Sequence, residues 1–219
     1  MLSRLRRSAI MAAATAAAVA VCAAPTAGAE PTGFYGLPTG SAEGVLPSIS
    51  AGNPLTEVDN IDLEKYVGTW YQVAAIPQPY NLQCASNTTA TYAIESPETI
   101  SVVNSCKDWL GNPSQVTGHA KVQNKDTNAS LRVWFDGIPF QNPDGPTNYR
   151  VTYYDGSIAI VGSPERASGF VLSRTPALSA EQWSLVSRTI SQRGWQPWMF
   201  LTAPTDGGVD SIKPVSWLG

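Results

Sequence analysis

Few residues in this chain have the chemistry that catalysis needs. His119 is the single histidine. It follows Gly118 in a predicted strand, so we interpret it as a surface residue rather than a general base. No group of His, Cys, Asp and Glu residues has the spacing of metal ligands. The sequence therefore predicts no catalytic site and no metal site, and no cofactor is expected.

The cysteines are the next candidates for chemistry. Cys22 lies in a segment that we expect to be removed, which leaves Cys84 and Cys106. An even pair in an exported chain favours a disulfide, and a disulfide leaves no thiol nucleophile. The bridge would close a loop of roughly 20 residues and contribute on the order of 3 kcal/mol to stability by restricting the unfolded chain. Two free structural thiols are the alternative.

The N-terminal segment has the composition of a targeting sequence. Basic residues precede an alanine-rich run over residues 9–24, and small residues lead up to Ala29. We predict that residues 1–29 are a signal peptide cleaved after Ala29, and that the protein is exported to the periplasm, the cell envelope or the medium. The alternative is a lipid anchor at Cys22, which Val21 disfavours because a small residue is usual at that position.

Length and charge limit the number of domains and the kinds of partner. The chain has 219 residues and a formal net charge of −3, which becomes more negative when the arginines of the signal peptide are removed. No basic run remains after residue 29, which argues against nucleic acid as a partner. The remaining length suits one domain with a sizeable core.

Segments of alternating apolar and polar residues follow a Pro/Gly-rich arm or linker, which we assign to residues 30–57. Eight such segments separated by polar turns predict an all-β fold, an eight-stranded antiparallel up-and-down β-barrel. The predicted strands are Trp70–Ile76, Asn87–Ile94, Ile100–Cys106, Val116–Gln123, Leu131–Phe135, Asn148–Tyr154, Ser157–Gly162 and Phe170–Arg174.

One C-terminal α-helix is predicted after the strands. It covers residues 179–192, where apolar residues recur at helical spacing: Trp183, Val186 and Ile190. We expect this helix to pack on the barrel wall, so that barrel and helix together span residues 58–202. The Pro/Gly-rich residues 203–219 are predicted to form a loose C-terminal tail.

Three short motifs resemble those of a known family. Gly68-Thr69-Trp70-Tyr71 opens the first strand, residues 148–162 contain two paired strands, and Leu172-Ser173-Arg174-Thr175-Pro176 precedes the helix. In order and spacing these motifs resemble the lipocalins, and within them the bacterial lipocalin and apolipoprotein D-like branch. The resemblance covers residues 58–202 and implies a calyx-shaped barrel that binds a small lipophilic molecule.

The resemblance also implies roles for individual residues. Gly68, Trp70 and Arg174 would form the barrel floor, with the guanidinium over the indole in a cation–π contact worth roughly 0.5–2 kcal/mol. Trp70 and Arg174 then fix which residues of their strands face inward, and on the other strands we place the more apolar alternate set inside. Trp134 is thereby placed outside. The predicted ligand-binding residues are Ala74, Ile76, Tyr92, Val102, Val122, Val133, Phe135, Tyr149, Val151, Phe170 and Leu172.

Such a lining suits an acyl chain or another elongated apolar molecule, since each buried methylene contributes about 0.8 kcal/mol. The sequence therefore predicts an exported binding or transport protein for a ligand of the fatty acid or lysophospholipid class. One alternative is a lipid- or isoprenoid-modifying enzyme on the same scaffold. Another is an envelope protein-interaction module whose barrel is filled by its own side chains. We further expect a monomer or weak dimer that associates peripherally with a membrane or the cell envelope.

Overall fold

The computed structural model describes residues 53–219, so the predicted signal peptide and most of the predicted arm lie outside the described residues. Two α-helices, α1 and α2, and nine strands, β1 to β9, follow one another along this part of the chain. The helices are α1 (Leu63–Tyr66) and α2 (Ala180–Gln192). The strands are β1 (Gly68–Ala75), β2 (Ser86–Ser96), β3 (Thr99–Lys107), β4 (Pro113–Val122), β5 (Ser130–Phe135), β6 (Tyr149–Tyr154), β7 (Ile158–Gly162), β8 (Gly169–Ser173) and β9 (Leu201–Thr202).

The strands form a single antiparallel sheet that closes on itself. Their order is β2-β3-β4-β5-β6-β7-β8-β1-β9, and β2 also pairs with β1. The pairing of β1 with β2 runs from Gly68 to Tyr71, after which β1 pairs with the short strand β9 at Ala74 and Ala75. The prediction of an eight-stranded antiparallel barrel with a C-terminal helix is confirmed, and β9 is an addition to the closed ring.

Helix α2 covers one side of the barrel wall. Ser179 and Gln182 cap its first turn reciprocally, each side chain accepting a hydrogen bond from the other residue's amide. Its apolar face is buried against outward-facing residues of β1, β7 and β8, and this core lies outside the barrel. Helix residues Trp183, Val186 and Ile190 belong to it together with Val73, Ile158, Ile160 and Val171.

The C-terminal residues pack on the domain instead of forming the predicted loose tail. Val215 is fully buried in the outer core, and its amide donates to the carbonyl of Phe200 at 2.9 Å. Thr202 pairs with Lys213 through a main-chain hydrogen bond of 2.9 Å. The proline and glycine content of residues 203–219 predicted a loose tail, but apolar side chains such as Val215 anchor this segment in the core.

The domain also begins before residue 58, the boundary predicted from the motifs. Leu55 is fully buried, its amide donates to the carbonyl of Pro164 at 2.7 Å, and its carbonyl accepts from Arg150 at 2.6 Å. The Glu57 carboxylate accepts a hydrogen bond from Ser130. The end of the predicted arm is therefore part of the barrel's packing. None of the helices within residues 53–219 is long and apolar enough to cross a membrane.

Candidate functional site: the barrel cavity

The barrel encloses a cavity of about 650 Å³ that reaches the surface between the loops at one end. This volume lies within the range of roughly 300–1,000 Å³ that is usual for small-molecule sites. The alternative of a barrel filled by its own side chains is therefore wrong. Three exposed side chains from two loops surround the mouth, those of Tyr80, Ile138 and Phe140.

Most of the residues predicted to contact a ligand do line this cavity. They come from β2, β3, β5, β6 and β8, where the period-two alternation of an unbroken strand selects one face. Trp134, placed outside by the same rule, is absent from the described cavity lining. The predicted residues found at the cavity are Tyr92, Val102, Val133, Phe135, Tyr149, Phe170 and Leu172.

A β-bulge in β1 moves two predicted residues out of the cavity. The register of β1 with β8 shifts between Gln72 and Ala74, and an extra residue in a strand reverses the side-chain alternation beyond it. Gln72 lines the cavity, whereas Ala74 and Ile76 lie in the outer core with helix α2. The prediction for Ala74 and Ile76 assumed a regular strand, so the structure corrects it.

Val122 and Val151, also predicted to contact a ligand, do not line the cavity. Val122 packs with Ile100 and Leu131 in one apolar cluster, and Val151 packs with Trp70 in another. Both valines are almost completely buried. They belong to packed core around the closed end of the barrel rather than to the wall of the cavity.

Trp70 and Arg174 meet at that closed end. The Cζ atom of Arg174 lies 3.7 Å from the centroid of the indole, and Trp70 is fully buried. The indole Nε1 donates to the carbonyl of Tyr66 at 2.8 Å, which ties β1 to helix α1. A buried indole that stacks on a cation and donates its single hydrogen bond has no polar group left unpaired.

The guanidinium of Arg174 also binds the junction at which α1 ends and β1 begins. It donates to four main-chain carbonyls at 2.7 to 3.1 Å, those of Lys65, Tyr66, Val67 and Thr69. Gly68 is the first residue of β1 and has φ of +96°, and a Cβ there would come within 3.3 Å of the guanidinium. Both the backbone conformation and the nearby cation therefore favour glycine at this position.

Three tyrosine hydroxyls meet inside the cavity. The hydroxyl of Tyr149 lies 2.8 Å from that of Tyr66 and 3.3 Å from that of Tyr92. Burial raises the pKa of Tyr92 to about 12 and raises those of Tyr66 and Tyr149 well above their usual value. All three phenols are therefore neutral at physiological pH. Tyr66 was not among the predicted ligand-binding residues, because it lies in helix α1 before the first strand.

The mouth is bounded by a short 3₁₀ turn, Pro79–Gln83, which is held by a disulfide at its end. Cys84 and Cys106 are bonded, with their Cα atoms 5.6 Å apart, so the predicted pairing is confirmed. The indole Nε1 of Trp109 donates to the carbonyl of Leu82 at 2.7 Å. Tyr80 and Asn81 of this turn contribute to the cavity lining.

Comparison with known proteins agrees with this architecture. The family model of the lipocalin-like domain matches residues 61–205. The chain belongs to the lipocalin family. Temperature-induced lipocalin-1 of Arabidopsis thaliana is 32% identical to it over 142 residues, which cover 62% of this chain and 75% of that protein. The resemblance inferred from the three motifs is thus confirmed.

One further relative and one solved structure extend the comparison. The outer membrane lipoprotein Blc of Escherichia coli (strain K12) is 32% identical over 130 residues, covering 58% of this lipocalin and 70% of Blc. These names support a bacterial-type lipocalin. Among solved structures, the cockroach allergen Per a 4 matches with a TM-score of 0.53 and 16% identity, covering 68% of this lipocalin and 92% of the allergen. That likeness concerns the fold alone.

The single histidine of this lipocalin lies on the outside of the barrel. His119 Nδ1 is 2.8 Å from a carboxylate oxygen of Glu95, and its ring stacks on Trp134 with centroids 5.4 Å apart. Neither residue lines the cavity. Within residues 53–219, no group of three or more His, Cys, Asp and Glu side chains is arranged to hold a metal ion.

Proposed function

We propose that this lipocalin is an exported binding or transport protein that holds a ligand of the fatty acid or lysophospholipid class in its barrel. The observation that carries the proposal is the cavity of about 650 Å³ with a largely apolar wall. Lipocalin relatives bind small lipophilic ligands, which supports the same general role. Catalysis is not part of the proposal, because His119 lies outside the cavity.

The positions of the charged lining residues determine the orientation of such a ligand in the cavity. Among the described lining residues, only Arg132 and Glu165 are charged. Glu165 is exposed in the loop between β7 and β8, and Arg132 donates to the carbonyl of Asn142 in the loop between β5 and β6 at 2.7 Å. A charged head group is therefore best solvated at the mouth, with the acyl chain inside. Burying each methylene then contributes about 0.8 kcal/mol.

Obstructing the cavity is the direct test of this proposal. Val133 lines the cavity, so a Val133→Trp variant should fill part of it and weaken binding of hexadecanoate and lysophosphatidylcholine at least tenfold, or by about 1.4 kcal/mol. Val103 lies on β3 and does not line the cavity, so Val103→Trp should bind both ligands like the unmodified protein. Isothermal titration calorimetry and native mass spectrometry measure both effects. A well-folded protein that binds neither ligand would contradict the proposal.

Peripheral contact with a lipid surface is the second part of the proposal. Large apolar side chains on the loops near the mouth are strongly exposed, including Leu82, Trp109, Leu110 and Phe140. Aromatic and aliphatic side chains of this kind partition into the interfacial region of a bilayer. Because the sequence has no basic run after residue 29, we expect this contact to depend on apolar insertion and not on anionic lipids.

Vesicle flotation tests this contact. With phosphatidylcholine vesicles, the double variant Leu110→Ser/Phe140→Ser should lose at least tenfold in partitioning, since burying each of these side chains is worth about 1.5–3 kcal/mol. Trp217→Ser is the control, because Trp217 is 75% exposed but belongs to the C-terminal segment. Adding phosphatidylglycerol should change little. Equal partitioning of the unmodified protein and the double variant would refute the contact.

Export and oligomeric state complete the proposal. The predicted signal peptide supports export, and the name of the relative Blc, an outer membrane lipoprotein, points to the cell envelope as a destination. We favour cleavage after Ala29 over a lipid anchor at Cys22, and a monomer or weak dimer over a stable oligomer. Intact mass measurement of the protein recovered from its native host distinguishes a chain that starts at Glu30 from one acylated at Cys22.

A further inference from the structure

The cavity contains a polar site that burial of an acyl chain does not use. The hydroxyls of Tyr66, Tyr149 and Tyr92 form a chain with Tyr149 in the middle, and all three side chains line the cavity. Tyr92 and Tyr149 pack against apolar side chains of the barrel interior, including Ile100, Val102, Leu131 and Leu172. An elongated ligand that enters from the mouth thus meets three clustered oxygen atoms in otherwise apolar surroundings.

The number of O–H groups shows that the three tyrosine hydroxyls can bind another group. Three phenols supply three O–H donors, and each hydroxyl oxygen can also accept hydrogen bonds. The two contacts to Tyr149 use two of the donors, whichever direction each bond takes. At least one donor is therefore available to an oxygen atom of a ligand. A buried polar group left without a partner costs roughly 1–3 kcal/mol, so an alkyl end is a poorer match for this position than an oxygen.

The surroundings favour a neutral oxygen over an anion. Burial raises the pKa of each of the three phenols, which means that a negative charge is poorly solvated where they meet. The charge of Arg174 acts in the opposite direction on Tyr66, but burial is the larger effect. The Arg174 guanidinium is in addition already bound to four main-chain carbonyls. A carboxylate would meet the same unfavourable solvation as a phenolate.

We propose that Tyr66, Tyr92 and Tyr149 form a subsite for an uncharged oxygen, a hydroxyl or a carbonyl, carried at the leading end of an elongated apolar ligand. This inference rests on the proposed function, because it requires a ligand in the cavity, and it narrows the ligand class. The matching molecule has a charged or polar head at the mouth, a hydrocarbon middle and a hydroxyl or keto group at the far end. A hydroxylated fatty acid, free or esterified in a lysophospholipid, has this pattern.

Matched pairs of ligands isolate the contribution of the far oxygen. Dodecanoic, hexadecanoic and octadecanoic acids are each compared with their ω-hydroxy derivatives by calorimetry at neutral pH, so that one chain length brings the hydroxyl to the tyrosines. The unmodified protein should bind that hydroxy acid at least as tightly as the plain acid. In the triple variant Tyr66→Phe/Tyr92→Phe/Tyr149→Phe, which removes all three hydroxyls and keeps the rings, the hydroxy acid should weaken about tenfold relative to the plain acid.

The ratio of the two dissociation constants separates this effect from general damage to the fold, since a loss of folded protein affects both ligands alike. Tyr92→Phe alone leaves the Tyr66–Tyr149 pair with one available donor, so it should change the ratio in the same direction by a smaller factor. Tyr71 packs in the outer core and does not line the cavity, so Tyr71→Phe should leave the ratio unchanged. If plain acids bind and the ratio is the same in all variants, the tyrosine subsite is refuted while the proposed function stands. If neither acid binds to the unmodified protein, both are refuted.

Discussion

Replacing Trp70 by alanine should lower the free energy of unfolding by about 3–5 kcal/mol, because it removes a fully buried indole from a packed core. The change also removes the stacking partner of Arg174 and the hydrogen bond to the carbonyl of Tyr66. For a domain of this length, such a loss lowers the melting temperature by on the order of 10 °C. Thermal unfolding followed by circular dichroism measures it.

Two further variants test whether the loss at Trp70 arises from closure of the barrel floor. Trp217 is 75% exposed, so Trp217→Ala should change the melting temperature by little. Trp70→Phe keeps an aromatic ring beside the guanidinium but loses the indole N–H, so we expect a smaller loss than for alanine. A Trp70→Ala protein that melts at the same temperature as the unmodified protein would show that this contact does not hold the closed end together.

The barrel was predictable because its determinants are local and repeated. Alternating segments between polar turns specify the strands, and the alternation within each segment indicates which of its side chains face inward. Trp70 and Arg174 lie far apart in sequence, but both belong to family motifs, so the resemblance implied their contact. The other interactions of Arg174 carry no such signal. Its hydrogen bonds go to main-chain carbonyls, which every residue has.

The cavity lining was less predictable where the backbone departs from regular geometry. The bulge between Gln72 and Ala74 lies in a run of residues, Gln72 to Ala75, that suits either face of a strand. Small apolar residues such as Ala74 fit a cavity wall and an outer core equally well. The position of the bulge depends on pairing with β8 and β9, which is a property of the assembled sheet.

The position of Tyr66 is a second case in which tertiary structure supplies what the sequence does not. Its helix, α1, spans only Leu63–Tyr66, and a single turn has no periodicity from which to choose a buried face. Trp70 and Arg174 both donate to the carbonyl of Tyr66, and Arg174 also donates to that of Val67, so these contacts fix the end of the helix from which the Tyr66 side chain enters the interior. The tyrosine subsite thus depends on the same contacts that close the barrel.

The disulfide should contribute about 3 kcal/mol to the free energy of unfolding, because Cys84 and Cys106 are 22 residues apart and the bridge restricts the unfolded chain accordingly. The double variant Cys84→Ala/Cys106→Ala should therefore melt roughly 10 °C below the oxidised protein. Alanine suits this change because Cys106 is buried and a serine hydroxyl there would need a partner.

The same bridge should affect ligand release more than ligand affinity. Cys84 ends the Pro79–Gln83 turn at the mouth. Without the bridge, the hydrogen bond from Trp109 to the carbonyl of Leu82 still connects that turn to the loop between β3 and β4. A more mobile turn should let hexadecanoate leave the cavity faster, which stopped-flow displacement measures. Treatment with reductant should reproduce both effects in the unmodified protein and change nothing in the double variant. If release is equally fast in all samples while the melting temperature falls, the bridge stabilises the fold without restraining the mouth.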